Sequence, residues 1–130
     1  MIISLISVPL ALVAQSSIEL AVDYKDCVQA FAIKQIRSDE SAEVLVASGE
    51  AECGHKLFAV RSVIQSEIRA NPDIREAAKT LPWSDVEKLI DERVDAMVKD
   101  VHDQSHSAAL RNVVFVKARI NEQEKYAPNP

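Results

Sequence analysis

The sequence predicts an all-α fold, a disulfide-stapled helical hairpin packed against one long or two shorter C-terminal helices in a bundle-like arrangement. Apolar residues recur at helical spacing from Leu20 to Ile120, and the 130 residues include only two glycines, which disfavours a turn-rich β fold. The only two cysteines, Cys27 and Cys53, stand symmetrically about the first polar break. A chain of this length is expected to form one domain.

The first 16 residues carry no charged side chain. Their apolar run is too short for an ordinary membrane-spanning helix, which takes about 20 residues. It has the length of the apolar part of a signal peptide, and Ala14 and Ser16 are small residues suited to a cleavage site. We therefore expect a signal peptide over 1–16 and a mature helical domain over 17–130, without a stable membrane span. The segment before the apolar run lacks the Lys or Arg that signal peptides usually carry there. The alternative interpretation of residues 1–16 is a buried N-terminal helix.

Two helices are predicted to form the hairpin. The first begins with a capping box at Ser16–Glu19 and is expected to reach Arg37. The second is expected to run from 39–41 to Ala70, where Asn71-Pro72 ends it. Apolar stripes at helical spacing support both helices. They consist of Leu20, Tyr24, Cys27 and Phe31 in the first, and of Leu45, Gly49, Cys53, Leu57, Val60, Ile64 and Ile68 in the second.

The positions of the cysteines predict a disulfide between Cys27 and Cys53. Each lies about 13 residues from the centre of the polar break, so at ~1.5 Å rise per residue both stand at the same height in the hairpin. The same symmetry places bulky Phe31 opposite Gly49, which suits two helices in close contact. Disulfides persist in oxidising compartments, so this pairing agrees with export.

The C-terminal half is predicted to be helical as well. A short helix is expected over 73–80, and a capping box at Ser84–Glu87 is expected to open the next. Polar residues 104–107 leave open whether 84–124 is one helix or two. Residues 113–116 alone would also fit a strand, but no partner strand exists. Two stripes should cover the hairpin: Val86, Ile90, Val94, Met97 and Val101, then Ala109, Val113, Val116 and Ile120.

Composition argues against several classes of function. Fifteen Lys and Arg stand against twenty Asp and Glu, a net charge of −5, whereas nucleic-acid binding favours a basic surface. No glycine-rich phosphate loop or haem-attachment motif occurs. His55 lies two residues from Cys53, and side chains at that spacing point apart on a helix, so a cysteine nucleophile is not expected. The sequence therefore predicts neither catalysis nor a cofactor.

His102 and His106 have the i, i+4 spacing of zinc-binding helices. The pattern resembles the zincin motif with Asp103 in place of the glutamate base, but no third ligand follows at a suitable spacing. We interpret the pair as part of a polar helix surface. The alternative is a metal site that uses His102 and His106.

Three short runs carry a resemblance to known sequences: Tyr24-Lys25-Asp26-Cys27, Ser41-Ala42-Glu43 and Ala51-Glu52-Cys53. Over about a third of the chain, the sequence resembles a loose set of short, exported, uncharacterised helical proteins of Gram-negative bacteria with a two-cysteine hairpin. The resemblance implies export and a disulfide, and it indicates nothing about an activity. We expect a periplasmic or secreted protein that acts through protein–protein contacts, or alternatively a small metal-binding protein. The partner and the degree of self-association stay open.

Overall fold

The computed structural model describes residues 15–126, and the segment expected to be a signal peptide lies almost entirely outside them. Within the described range all regular structure is helical, which confirms the predicted fold class. The helices are α1 (Ser17–Lys34), α2 (Ala42–Glu52), α3 (Gly54–Arg69), α4 (Pro72–Ala77) and α5 (Trp83–Lys125). Across these residues, no helix combines the length and the apolar character needed to cross a bilayer.

Each of the two hairpin helices, α1 and α2, begins with a serine cap. The Ser16 hydroxyl accepts a hydrogen bond from the Glu19 amide at 3.2 Å, and the Ser41 hydroxyl accepts one from the Val44 amide at 3.3 Å. These bonds satisfy amides that lack a partner in the first helical turn. Helix α1 ends at Lys34, three residues before the expected end.

The predicted disulfide is present. The two sulfurs of Cys27 and Cys53 are bonded at 2.08 Å, with the Cα atoms 6.1 Å apart. The bridge joins α1 to the junction of α2 and α3. In the chain-entropy model, closing a loop of this length stabilises the fold by about 3.5 kcal/mol.

The second helix of the hairpin bends at Cys53, contrary to the single helix expected up to Ala70. Cys53 has φ −94° and ψ 11°, outside the ordinary helical range, and separates α2 from α3. Its amide still donates to the Gly49 carbonyl at 2.9 Å, and its carbonyl accepts from the Lys56 amide at 2.9 Å. The bend falls beside Gly54, where helix propensity is lowest, and at the residue that the disulfide ties to α1.

The two hairpin helices touch at Gly49, as predicted, but the residue opposite it is Val28 and not Phe31. A Cβ built on Gly49 would lie 2.7 Å from the Val28 carbonyl oxygen and 3.3 Å from its Cγ1. Only glycine admits this approach without a shift of the helices. The contact therefore lies three residues earlier along α1 than predicted.

Helix α5 is a single helix of 43 residues. Ion pairs of Arg61 with Asp95 and of Arg69 with Glu87, at 2.5 and 2.7 Å, hold it antiparallel to α3. The prediction of a capping box at Ser84 is wrong, because the helix starts at Trp83 and its N-cap residue is Pro82. The ring fixes φ of Pro82, which suits a residue at the start of a helix.

One apolar core runs between the three long layers α1, α2–α3 and α5, and α4 closes one end through Ile74. The buried residues that form it are Tyr24, Val28, Ala32, Leu45, Val46, Cys53, Val60, Ile64, Ile68, Ile74, Val86, Ile90, Val94, Ala109 and Val113. In the first expected stripe of α5, Val86, Ile90 and Val94 are buried, and Val101 is partly buried against the core. Met97 is 45% exposed, and beyond it lies a groove.

Candidate functional site

A groove lies between the first half of α1 and the middle of α5. Its volume is about 780 Å³, within the range of about 300–1,000 Å³ that is usual for binding sites. Ile64 of α3 contributes to its floor. The apolar lining consists of Ile18, Ala21, Val22, Ile64, Met97, Val101 and Ala108.

The start of α1 explains why this groove exists. Both the amide and the hydroxyl of Ser17 donate to the Glu67 carboxylate, at 3.1 and 2.8 Å, which sets the first turn of α1 beside α3. Helix α5 continues past this level toward Trp83, with no described part of α1 beside it. The α5 surface around Met97 is therefore only partly covered.

Three large apolar side chains of the groove reach solvent together. Ile18 is 76% exposed, Val22 is 44% exposed and Met97 is 45% exposed. Single exposed apolar residues are ordinary on a protein surface, whereas a contiguous group beside a concave surface is typical of an interaction site. The groove therefore has the shape and the chemistry to bind an apolar group.

The far end of the groove is polar. Lys25 and Arg111 line it, and neither forms an ion pair with a carboxylate in the described part of the chain. Asp103 also lines the groove, but its carboxylate is bound by Lys99 at 2.5 Å. That hydrogen bond, followed by one from His102, lowers the pKa of the Asp103 carboxyl. At this end of the groove, the charges without an ion-pair partner among the described residues are therefore the positive charges of Lys25 and Arg111.

A buried hydroxyl lies in the same groove. Ser105 is only 3% exposed, and its Oγ has no hydrogen-bond partner among the described residues. Buried polar groups in folded proteins nearly always have a partner, because leaving one unpaired costs free energy. Ser105 is therefore a candidate contact for a polar group that enters the groove.

The two histidines expected at the surface meet a glutamate that the sequence did not reveal. Glu50 of α2 places one carboxylate oxygen 2.7 Å from Nδ1 of His106, and its other oxygen contacts Nε2 of His102. The two rings are stacked with their centroids 6.0 Å apart. Both histidine side chains are only about one-third exposed, and Glu50 is 14% exposed. The cluster ties α5 to the hairpin.

This cluster does not have the arrangement of a metal site. Ligand atoms around tetrahedral zinc lie about 3.3 Å from one another, because each stands about 2.0–2.1 Å from the metal. Here the carboxylate and the rings are in direct hydrogen-bond contact, and no group of three or more His, Cys, Asp or Glu side chains between 15 and 126 is arranged to hold a metal ion. His55 is exposed on α3 and makes no hydrogen bond to either ring. The metal site at His102 and His106 stays a prediction.

Tyr24 of α1 lies on the buried side of the same region. Burial, together with the negative charge of Glu50, raises the pKa of Tyr24 to about 12. The phenol is 1% exposed, so its ionised form is disfavoured by the loss of water. Tyr24 is accordingly a neutral core residue and not a candidate acid or base near neutral pH.

The sequence predicted the pairing of Cys27 with Cys53 and the shared helix face of His102 and His106. It did not reveal Glu50, Ser105 or the groove. Glu50 follows Gly49 of the apolar stripe, but its contact depends on how α5 is aligned with α2. Comparison of the chain with family models, with curated proteins and with solved structures finds no match.

Proposed function

We propose that the protein is an exported binding protein that takes an apolar helical segment of a partner protein into the groove between α1 and α5, without catalysis. The observation that carries this proposal is the joint exposure of Ile18, Val22 and Met97 along one concave surface. An amphipathic helix buries its apolar face in such a groove through side chains spaced three and four residues apart.

Export is supported by the disulfide, which persists in oxidising compartments. Cleavage after Ala14 would leave α1 and its Ser16 cap whole, whereas cleavage after Ser16 would keep the helical residues from Ser17 onward and remove the cap. Cleavage after Ser16 would turn the Ser17 nitrogen into a positive amine beside the Glu67 carboxylate, which now accepts its hydrogen bond at 3.1 Å.

Site-specific photo-crosslinking tests the proposal. A benzophenone side chain at position 22 lies in the groove, whereas the same group at position 58 replaces Phe58, which is 69% exposed and does not line the groove. In the native cell, we expect position 22 to crosslink to an apolar helical segment of one other protein, and position 58 to give no such product. Equal products at both positions would contradict the proposal. Crosslinks to residues 1–14 or to a second copy would assign the groove to those occupants instead.

A second candidate function is metal binding by His102 and His106, because their rings stand side by side with the centroids 6.0 Å apart and the Glu50 carboxylate in contact with both. The carboxylate would have to move away from the rings to admit the ion. Metal analysis of the protein from its native compartment tests this function. One equivalent of zinc that is lost when both histidines are replaced by glutamine would support it, and a metal-free protein with no affinity for added zinc would refute it.

A further inference from the structure

We infer that the groove selects a partner segment that carries a carboxylate, held by Lys25 and Arg111 at the polar end and reached by the Ser105 hydroxyl. This inference rests on the proposed function of the groove. It goes beyond that function because it states the chemistry that distinguishes a binding segment from other apolar helices.

The two basic residues lie at the same end of the groove. Asn112 donates a hydrogen bond to Gln29 at 2.8 Å, which aligns α1 and α5 side by side at that level. Lys25 is one turn before Gln29, and Arg111 is the residue before Asn112. Their charges therefore meet in one region of a protein whose net charge is −5.

The long side chains of Lys25 and Arg111 are expected to lean toward the level of Ser105. In a helix, long side chains point back toward the N-terminus. We therefore expect Lys25 and Arg111 to extend from the polar end into the groove, toward the turn that contains Ser105 on α5. One carboxylate at this level would receive charge-assisted hydrogen bonds from both cations, which are stronger than bonds between neutral groups.

The unpartnered hydroxyl of Ser105 is a second and independent observation. It is buried and has no hydrogen-bond partner among residues 15–126, so a carboxylate oxygen would satisfy it. The acidic residue in the same groove does not compete, because the Asp103 carboxylate is already bound by Lys99 and His102. A basic residue in the partner segment would instead face two uncompensated positive charges.

Three synthetic peptides provide the test. Each is a 16-residue helix-forming sequence with leucines spaced three and four residues apart, and they differ only in whether the following turn carries glutamate, glutamine or lysine. Their affinities for the protein isolated from its native cell are measured by fluorescence anisotropy. We expect the glutamate peptide to bind about tenfold more tightly than the glutamine peptide, and the lysine peptide to bind most weakly.

Protein variants identify the residues responsible. K25Q and R111Q should each reduce the preference for glutamate over glutamine, whereas K88Q, an exposed change on α5 outside the groove, should leave it unchanged. S105A should weaken binding of the glutamate peptide severalfold without lowering the melting temperature, because it removes an unpaired polar group. A melting temperature lowered by S105A would show that the hydroxyl serves packing, and would contradict its proposed role.

The outcomes separate this inference from the proposed function. If all three peptides bind equally and M97E abolishes binding of each, the groove binds apolar helices and the carboxylate preference is wrong. If none of the peptides binds, the proposed function fails together with the inference. A glutamate preference that survives in the K25Q/R111Q double variant would overturn the assignment of these two residues.

Discussion

The two glycines of the chain are expected to respond in opposite ways to the same substitution. A Cβ at Gly49 would stand 2.7 Å from the Val28 carbonyl oxygen, whereas a Cβ at Gly54 would meet nothing within 4 Å. Neither glycine has a positive φ, so alanine is conformationally acceptable at both positions. The difference between the variants therefore reports the helix–helix contact and not backbone strain.

The magnitudes follow from the two surroundings. Alanine in place of glycine stabilises a helical position by about 0.5–1 kcal/mol, through propensity and a less flexible unfolded chain. G54A should show this gain. G49A has the same gain but must push α1 from α2, and the Cys27–Cys53 bond, one residue from Val28, resists that movement. Overpacking costs about 1–3 kcal/mol, so G49A should be destabilised by about 1–2 kcal/mol overall.

Urea unfolding of the oxidised protein measures both free energies of unfolding. G54A is the matched control, since it makes the same chemical change in the same pair of consecutive helices. Equal stabilisation of G49A and G54A would refute the close approach of α1 and α2 at Val28. A destabilised G54A would contradict the open surroundings of that residue.

Three further predictions concern the core, ionisation and processing. Between pH 10 and 12 the unfolded chain releases the Tyr24 proton before the folded chain does. Across that range, the measured free energy of unfolding of the wild type should therefore fall by up to about 3 kcal/mol relative to that of Y24F. I90A removes buried methyl groups and should cost about 2–4 kcal/mol in urea unfolding, since Ile90 is 1% exposed. Mass spectrometry of the protein from its native cell should find a chain that starts at Gln15 or Ser17.

Each of these three predictions would be contradicted by a specific result. Parallel alkaline stability curves for wild type and Y24F would show that the phenol titrates normally. An I90A variant as stable as the wild type would contradict the packing of α5 on the hairpin. An intact chain from Met1 in the cytoplasm would refute export.

The helical pattern and the disulfide could be predicted because both depend on local spacing. Apolar residues three and four apart define each helix, and the two cysteines lie symmetrically about one turn. The bend at Cys53 could not be predicted, because the Gly49–Ile68 stripe continues across it without a phase change. The helix start at Trp83 was also missed, since Ser84 provides a stronger capping signal than Pro82.

The sites depend on how distant helices are aligned, which periodicity does not specify. Glu50 meets His102 and His106 only because α5 runs antiparallel to α2 in one register among several that would bury the same stripes. Met97 continues the stripe of Val94, yet it is 45% exposed, because α1 begins at Ser17 and, within residues 15–126, only its first turns lie beside that part of α5. The groove is thus a consequence of relative helix ends and not of a sequence motif.

The most direct test of the groove as a binding site is a nuclear magnetic resonance titration of the isotope-labelled protein with the glutamate peptide. We predict that the largest amide shifts fall at Val22, Met97 and Ser105, with little change at Phe58 and Trp83 on other surfaces. The absence of shifts at saturating peptide, or shifts centred on Phe58 or Trp83, would contradict the account.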